Sequence, residues 1–307
     1  MDLSIVSAGL FMERNLWMTN RHVTNKEAAD RLLADGLHAD RDALLEVLAA
    51  VDHYRLSAYA YPFRDRTTGM FRDGVTLANI WGVYSFDRRL RLIAADALSR
   101  IEVAVRALIV RHYTAFNSDP FAYAEHANLP KITKAAHEVL LANIASAAHK
   151  GKYSLIYPEL CVVMEIVPFG TLTYFYEGMP LSVQEKVANT FCVSPDVFGG
   201  WLTALRRARN VCAHNARFWN KRLDSKLTKR IGRAPELVGL DEVLKLQADG
   251  ESPTAFTILS LCVYCLTIIR PQSRWQRRCK DLLMTATPFI LRGMGFPPNW
   301  QTFMLWQ

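Results

Sequence analysis

From Tyr84 to Phe116 the sequence runs without a proline or a glycine, and Phe86, Leu90, Ile93, Ala97, Ile101, Val105 and Leu108 recur at steps of three or four. That spacing lays one apolar stripe along a helix of about 3.6 residues per turn, so it predicts a single long amphipathic helix. The remaining faces carry Asp87 with Arg91, Asp96 with Arg100 and Glu102 with Arg106, each an acid four residues before an arginine. This is the favourable order on a helix. Most of these charges read as a solvated face with weak ion pairs.

Helical patterning extends over the rest of the chain. Leu32, Leu33 and Leu37 make one stripe, and Leu44, Leu45, Val47, Leu48 and Val51 another, so residues 25–51 predict a short helix pair that breaks near Gly36 and Asp40. Thr24, three residues before Glu27, is the expected N-cap. Further helices are predicted at 131–149, 157–176, 182–192, 196–216 and 254–269, with Gly170 a candidate interruption. Strand signals are sparse, and the fold class read from the pattern is all-α. No Ser/Gly/Pro-rich linker or internal repeat divides the chain. The expected organisation is an N-terminal helical extension, 1–80, packing on a helical domain, 81–307, as one compact unit. The first 20 residues are poorly patterned, and Gly232 to Ser252 reads as a surface loop region.

Thr254 to Ile269 carries no charge over 16 residues, but at about 1.5 Å per residue it spans only about 24 Å against a hydrocarbon core of about 30 Å. With Thr254, Thr257, Ser260 and Thr267 inside it, it reads as a helix buried on every side, and no membrane association is expected. The six cysteines are scattered, and no basic region followed by an apolar run opens the chain, which points to the reducing cytoplasm. Cys262 and Cys265 form a C-x-x-C in apolar surroundings with no second pair at zinc spacing, so they read as core thiols. No metal, cofactor or nucleotide-binding loop is expected.

Lys and Arg number 37 against 29 Asp and Glu, a formal charge of +8, which favours polyanionic partners without naming one. The excess is concentrated. Between Arg206 and Arg233 ten bases (Arg206, Arg207, Arg209, Arg217, Lys221, Arg222, Lys226, Lys229, Arg230 and Arg233) stand against one acid, Asp224. A solvated face normally mixes signs, so this run predicts contact with nucleic acid, with Phe218 and Trp219 placed to stack on bases. Tyr54 and Arg55, in a segment with Tyr59, Tyr61 and Arg64, admit two readings: an RNA clamp or the wall where the N-terminal helices pack.

Inside the run, Arg209 and His214 stand five residues apart, with Asn210 beside the arginine. An imidazole can pass a proton to or from a ribose 2′-OH or a leaving oxygen, and a guanidinium offers a planar fork to a phosphate whose charge grows in the transition state. On an ideal helix the two lie about 7.5 Å apart along the axis and about 140° apart around it. Either the helix is distorted there or a second copy completes the site, which predicts a two-fold dimer.

Several ordered blocks resemble the Abi family of abortive-infection proteins, of AbiD/AbiF type, whose central domain belongs to the HEPN superfamily of all-helical RNA-cleaving domains. They are Tyr54-Arg55-Leu56-Ser57 with Tyr59 and Pro62-Phe63, Tyr84 to Arg91, Ile101 to Arg106, Glu165 with Phe169 to Leu172, Arg209 to Asn220, and Gly293 to Trp300 with Leu305-Trp306. The resemblance covers residues 26–306. It implies a HEPN-like helical bundle with additional N-terminal and C-terminal helices, in which Arg209 and His214 are the signature pair and Asn210 the polar residue beside it. Glu102 and Arg106 are read as a pair in the core near the signature helix that orients the site rather than reacting, and Asp87 is expected to give structural support.

By the same resemblance, paired domains form the nuclease site. With one signature pair in the chain, that implies a homodimer. Similar domains occur in toxin RNases and in RNA-guided, RNA-targeting CRISPR effectors.

The expected function is therefore a metal-independent endoribonuclease of antiphage defence, with RNA contacts from Arg206, Arg207, Arg217, Trp219, Lys221, Arg222, Lys226, Lys229, Arg230, Tyr54 and Arg55. The alternative is a ribonucleoprotein component that holds a structured noncoding RNA, cleavage being absent or conditional. The RNA partner is cellular, phage or a dedicated noncoding species. A third reading, a helical interaction protein in which the motif only completes a dimer interface, leaves the basic run unexplained unless the partner is a largely acidic protein.

Overall fold

The computed structural model describes residues 23–225, 227, 239–246 and 251–307. Among these the chain forms thirteen α-helices and no strand, with two isolated bridges, His38 to Thr76 and Arg64 to Phe71. The all-α expectation holds. Contacts group the chain into two units, one ending at Arg89 and one spanning Leu90–Gln307.

The first unit holds α1 (Asn25–Ala34), α2 (Arg41–Ala50), α3 (His53–Ala60) and the opening turns of α4 (Leu77–Phe116). α1 starts at a capping box: the Thr24 hydroxyl accepts from the Glu27 N–H at 3.3 Å, and the Glu27 carboxylate accepts from the Thr24 N–H at 2.9 Å. Gly36, at φ +93°, turns the chain where few residues but glycine can. Asp40 then caps α2 through the Ala43 N–H at 2.9 Å. The helix pair buries Ala28, Ala29 and Leu32 with Leu44 and Leu48. Within this unit the Tyr59 hydroxyl donates to Asp87 at 2.6 Å, and Asp87 is fully buried.

That burial corrects the solvated-face reading for Asp87 and Arg91, while Glu102 and Arg106 form the core pair expected of them. Asp87, Arg91, Glu102 and Arg106 are all buried, and only Asp96 and Arg100 keep the exposed pairing expected of them, at 2.8 Å. Period alone does not reveal burial here, because long charged side chains flank the apolar stripe and their ends meet partners from elsewhere in the fold.

The second unit comprises the rest of α4 and α5 (Lys134–Lys150), α6 (Leu160–Ile166), α7 (Phe169–Gly178), α8 (Leu181–Asn189), α9 (Pro195–Ala213), α10 (Leu240–Lys245), α11 (Ala255–Ile269), α12 (Trp275–Met284) and α13 (Pro288–Gly293). The uncharged stretch is α11, buried at every position from Ala255 to Leu266. Among the described residues no helix is long and apolar enough to cross a membrane. Phe256 on α11 receives the C-terminal aromatics: Phe256, Phe296, Trp300 and Trp306 form a cluster with ring centroids 4.6 to 6.3 Å apart. The Trp306 indole N–H donates to Ser260 Oγ at 2.9 Å.

Three elements differ from the sequence reading. The helix expected over 157–176 divides into α6 and α7 at Pro168, not at Gly170. Val167 takes the extended conformation (φ −75°, ψ 143°) that a residue before proline prefers, and Gly170 lies inside α7. α10 occupies part of the segment expected to be loop, and α4 begins at Leu77 rather than Tyr84. The short helices α12 and α13 carry too few apolar turns to stand out by period.

Candidate functional site

α9 turns Val197, Phe198, Trp201, Leu202, Ala204, Leu205, Ala208 and Cys212 inward, leaving Arg209 at the edge of its buried face. Its end is a Schellman cap: the Ala216 N–H donates to Val211 O at 2.9 Å and the Asn215 N–H to Cys212 O at 3.2 Å. Asn215 sits at φ +54°, a left-handed conformation that asparagine tolerates better than most residues. The cap fixes His214 as the C-cap residue directly after Ala213, the last residue of α9, and His214 is exposed.

Arg209 faces α4. Its Nε lies 3.4 Å from Glu102 Oε2, while Glu102 Oε1 pairs with Arg106 Nη2. Arg106 also donates to the carbonyls of Met164 and Val167, the latter at 2.8 Å. Those acceptors follow from the break at Pro168: in a continuing helix Met164 O would accept from residue 168, and a proline has no N–H to give. Arg106 takes the place of that amide, and its positive charge suits the C-terminal end of α6. Burying a carboxylate alone costs several kcal/mol, and two flanking guanidinium groups offset it at Glu102.

These side chains line a cavity of about 480 Å³ with Ala95, Ser99 and Val103 of α4, Glu165 of α6 and Ala213 of α9. Arg209 and Ala213, four residues apart, share the face that meets it. His214 is not among the lining residues, and α9 is regular from Arg209 to Ala213. Asn210 is exposed, its side-chain oxygen 3.4 Å from Arg209 Nη1. Ser99 and Glu165 were not singled out as reactive in the sequence, because only the approach of α4 to α6 and α9 brings them to Arg209.

The residues expected to contact RNA are distributed unevenly. Trp219 is fully buried, donates its indole N–H to Ile290 O at 3.0 Å and packs so closely on Gly293 that an added Cβ would lie 2.8 Å away. Phe218 is likewise buried. Neither ring can stack on a base: the tryptophan belongs to the core, where its polar edge has found a carbonyl. Arg206 is half-buried over Gly170, and Arg207 pairs with Asp224 at 3.4 Å. Arg222 pairs with Glu251 at 2.6 Å, Lys221 is exposed and Arg217 half-buried. Lys226, Lys229 and Arg230 lie outside the described residues. In the first unit Tyr54 is exposed, and the Arg55 guanidinium stands 5.8 Å from the centre of the Tyr84 ring. A charge count along the chain overstates the free positive charge of this run, since Glu102 and Glu251 arrive from distant segments.

The fold and site together define an all-helical protein whose α9 presents an arginine, anchored by a buried carboxylate, at a cavity wall. The sequence model of the family described as Abi-like protein matches residues 46–220, more than half of the chain, and the chain belongs to that family. Its coarse functional assignment is therefore abortive-infection defence. The matched segment ends just after the α9 cap and contains every residue of the Arg106, Glu102 and Arg209 network. No curated protein and no solved structure matches the chain.

Proposed function

We propose that this protein is an antiphage endoribonuclease of HEPN type, cutting RNA without a metal ion at a site that two copies complete. The observation that carries the reading is Arg209, held by Glu102 on a cavity wall, with His214 exposed at the helix end five residues on. His214 takes the proton of a ribose 2′-OH, or returns one to the leaving 5′-oxygen. The 2′-oxygen attacks phosphorus and the P–O5′ bond breaks. Arg209 stabilises the charge that gathers on the phosphorane-like transition state, and Asn210 holds the site or the substrate by hydrogen bonds.

The regular helix between Arg209 and Ala213 supports the dimeric arrangement. Two side chains leaving one straight helix about 140° apart do not meet at one phosphate, so the second function comes from the other copy. The test is cleavage of a single-stranded RNA by the purified protein with its ends mapped. Expected are EDTA-resistant cutting, 2′,3′-cyclic phosphate or 3′-phosphate and 5′-hydroxyl ends, and loss of cutting in Arg209→Ala and in His214→Ala. Cleavage abolished by EDTA overturns the mechanism.

The Arg209–Glu102 pair also favours a second reading, in which an arginine committed to a carboxylate holds a structured noncoding RNA instead of turning over substrate. In that case wild-type protein retains a defined RNA without cutting it, and His214→Ala loses affinity.

A further inference from the structure

A second concentration of positive charge lies outside the basic run. From Arg270 to Lys280 the chain carries Arg270, Arg274, Arg277, Arg278 and Lys280 without an acid. Pro271 stops α11, and Arg270 leaves helical geometry at φ −153°. The Ser273 N–H then donates to Arg270 O at 2.8 Å, closing a tight turn into α12. α12 is pinned by Trp275, buried with its indole N–H on Ile93 O at 2.8 Å, and by buried Cys279, Leu282 and Leu283. Its opposite face must therefore carry Arg274, Arg277 and Arg278, and these with Arg270 are exposed. Arg270, Arg274 and Arg277 make no ion pair among the described residues.

The patch continues onto α4. Arg278 and Arg100 share one carboxylate, Asp96, and Arg100 Nη1 lies 3.4 Å from Ser273 Oγ. Asp96 and Arg100 are the chain neighbours of Ala95 and Ser99, which line the Arg209 cavity. Each pair is about 100° apart on the helix, so Asp96 and Arg100 leave α4 about a quarter turn around from its cavity-lining face. Five arginines with one carboxylate form a track that runs from the α11–α12 turn onto the side of α4 next to its cavity-lining face; the next acid, Asp281, comes a turn later on α12. Leu92 and Val103, 67 % and 61 % exposed on the same side of α4, bring apolar surface alongside it.

We infer that this track, Arg270, Arg274, Arg277, Arg278 and Arg100, binds the phosphate backbone of single-stranded RNA and feeds it to the cavity at Arg209. The inference rests on the RNA-directed reading of the site. Guanidinium forks suit phosphate oxygens, and unpaired arginines add counterion-release affinity without selecting a sequence. Buried Trp219 removes the expected stacking surface from the α9 side, and the track supplies contact from another side of the cavity.

The test measures binding of labelled poly(U) to the His214→Ala protein, with and without Arg270→Glu, Arg274→Glu and Arg277→Glu together. The Arg→Gln triple serves as a milder second variant, and thermal melts report folding. The expected result is at least a tenfold loss of affinity at low salt, and a slope of log affinity against log salt that is shallower by about two for three lost contacts. Equal binding by parent and variants overturns the track while leaving the RNA reading intact. Absence of RNA binding by both the His214→Ala protein and the wild-type protein overturns both. Polyglutamate displacing RNA as effectively as unlabelled poly(U) also overturns the assignment, because the patch then serves an acidic protein.

Discussion

Glu102 divides its two oxygens between Arg106, buried beside it, and Arg209, whose Nε stands 3.4 Å away at the cavity wall. One side of this arrangement is structural and the other faces solvent, so the two arginines respond differently to removal. Arg106→Ala strands a buried carboxylate and two carbonyls and is expected to cost about 3 kcal/mol. Arg209 is more than a third exposed, and Arg209→Ala is expected to cost less than about 1 kcal/mol. Urea midpoints measure the stability order and RNA cleavage the activity. The expected result is a near-normal midpoint with no cutting for Arg209→Ala, and equal destabilisation by both variants contradicts the assignment.

Gly293 leaves room for the Trp219 ring. Gly293→Ala places a Cβ 2.8 Å from the indole and is expected to destabilise the fold by about 1–3 kcal/mol through overpacking. RNA affinity, measured below the melting temperature, is expected to stay unchanged. A selective loss of RNA binding without loss of stability would return Trp219 to the list of RNA contacts.

The cap after α9 gives a graded test of His214. Asn215→Gly keeps the left-handed residue and is expected to preserve both stability and cleavage. Asn215→Val is expected to cost about 1–2 kcal/mol, because a β-branched side chain resists positive φ, and to lower cleavage as the helix end shifts. Full activity in a destabilised Asn215→Val protein would separate His214 from the cap.

Thiol chemistry distinguishes core cysteines from a redox pair. Burial pushes the Cys265 and Cys279 thiols up to about 12 and raises Cys262 in the same direction, with Cys265, Cys279 and Cys212 as neighbours. These groups stay protonated at pH 8 and are poor nucleophiles. Titration with a disulfide reagent is expected to label exposed Cys161 at once, and to reach Cys262, Cys265 and Cys279 only when the protein unfolds. Rapid labelling of the C-x-x-C pair would contradict their placement in the core.

The sequence makes α4, α9 and α11 readable because each sustains an apolar period over many turns, and the capping box at Thr24 is readable because it is local. Arg209, His214, Glu102 and Arg106 were legible as a group only through spacing and family likeness. The pairing of Glu102 with Arg106 follows the i, i+4 spacing, but its pairing with Arg209 depends on how α4 meets α9, which no local pattern records. Trp219 shows the opposite case. An aromatic among basic residues suggests stacking on bases, but its fate is set by Gly293 and Ile290, some seventy residues away. The arginines of the α11–α12 turn escaped notice because their number is small along the chain, and they become a track only beside Asp96 and Arg100.

Pro168 offers no amide to the Met164 carbonyl, and Arg106 fills the gap from another helix. A missing backbone donor thus fixes one end of the ionic chain whose other end is Arg209. A residue with neither charge nor polar side chain governs how the site's arginine is held. Pro168→Ala is expected to let α6 run on and give that carbonyl a backbone partner, taking one acceptor from Arg106 beside Glu102, so a change in the bend between two helices reaches the cavity without altering any residue that lines it.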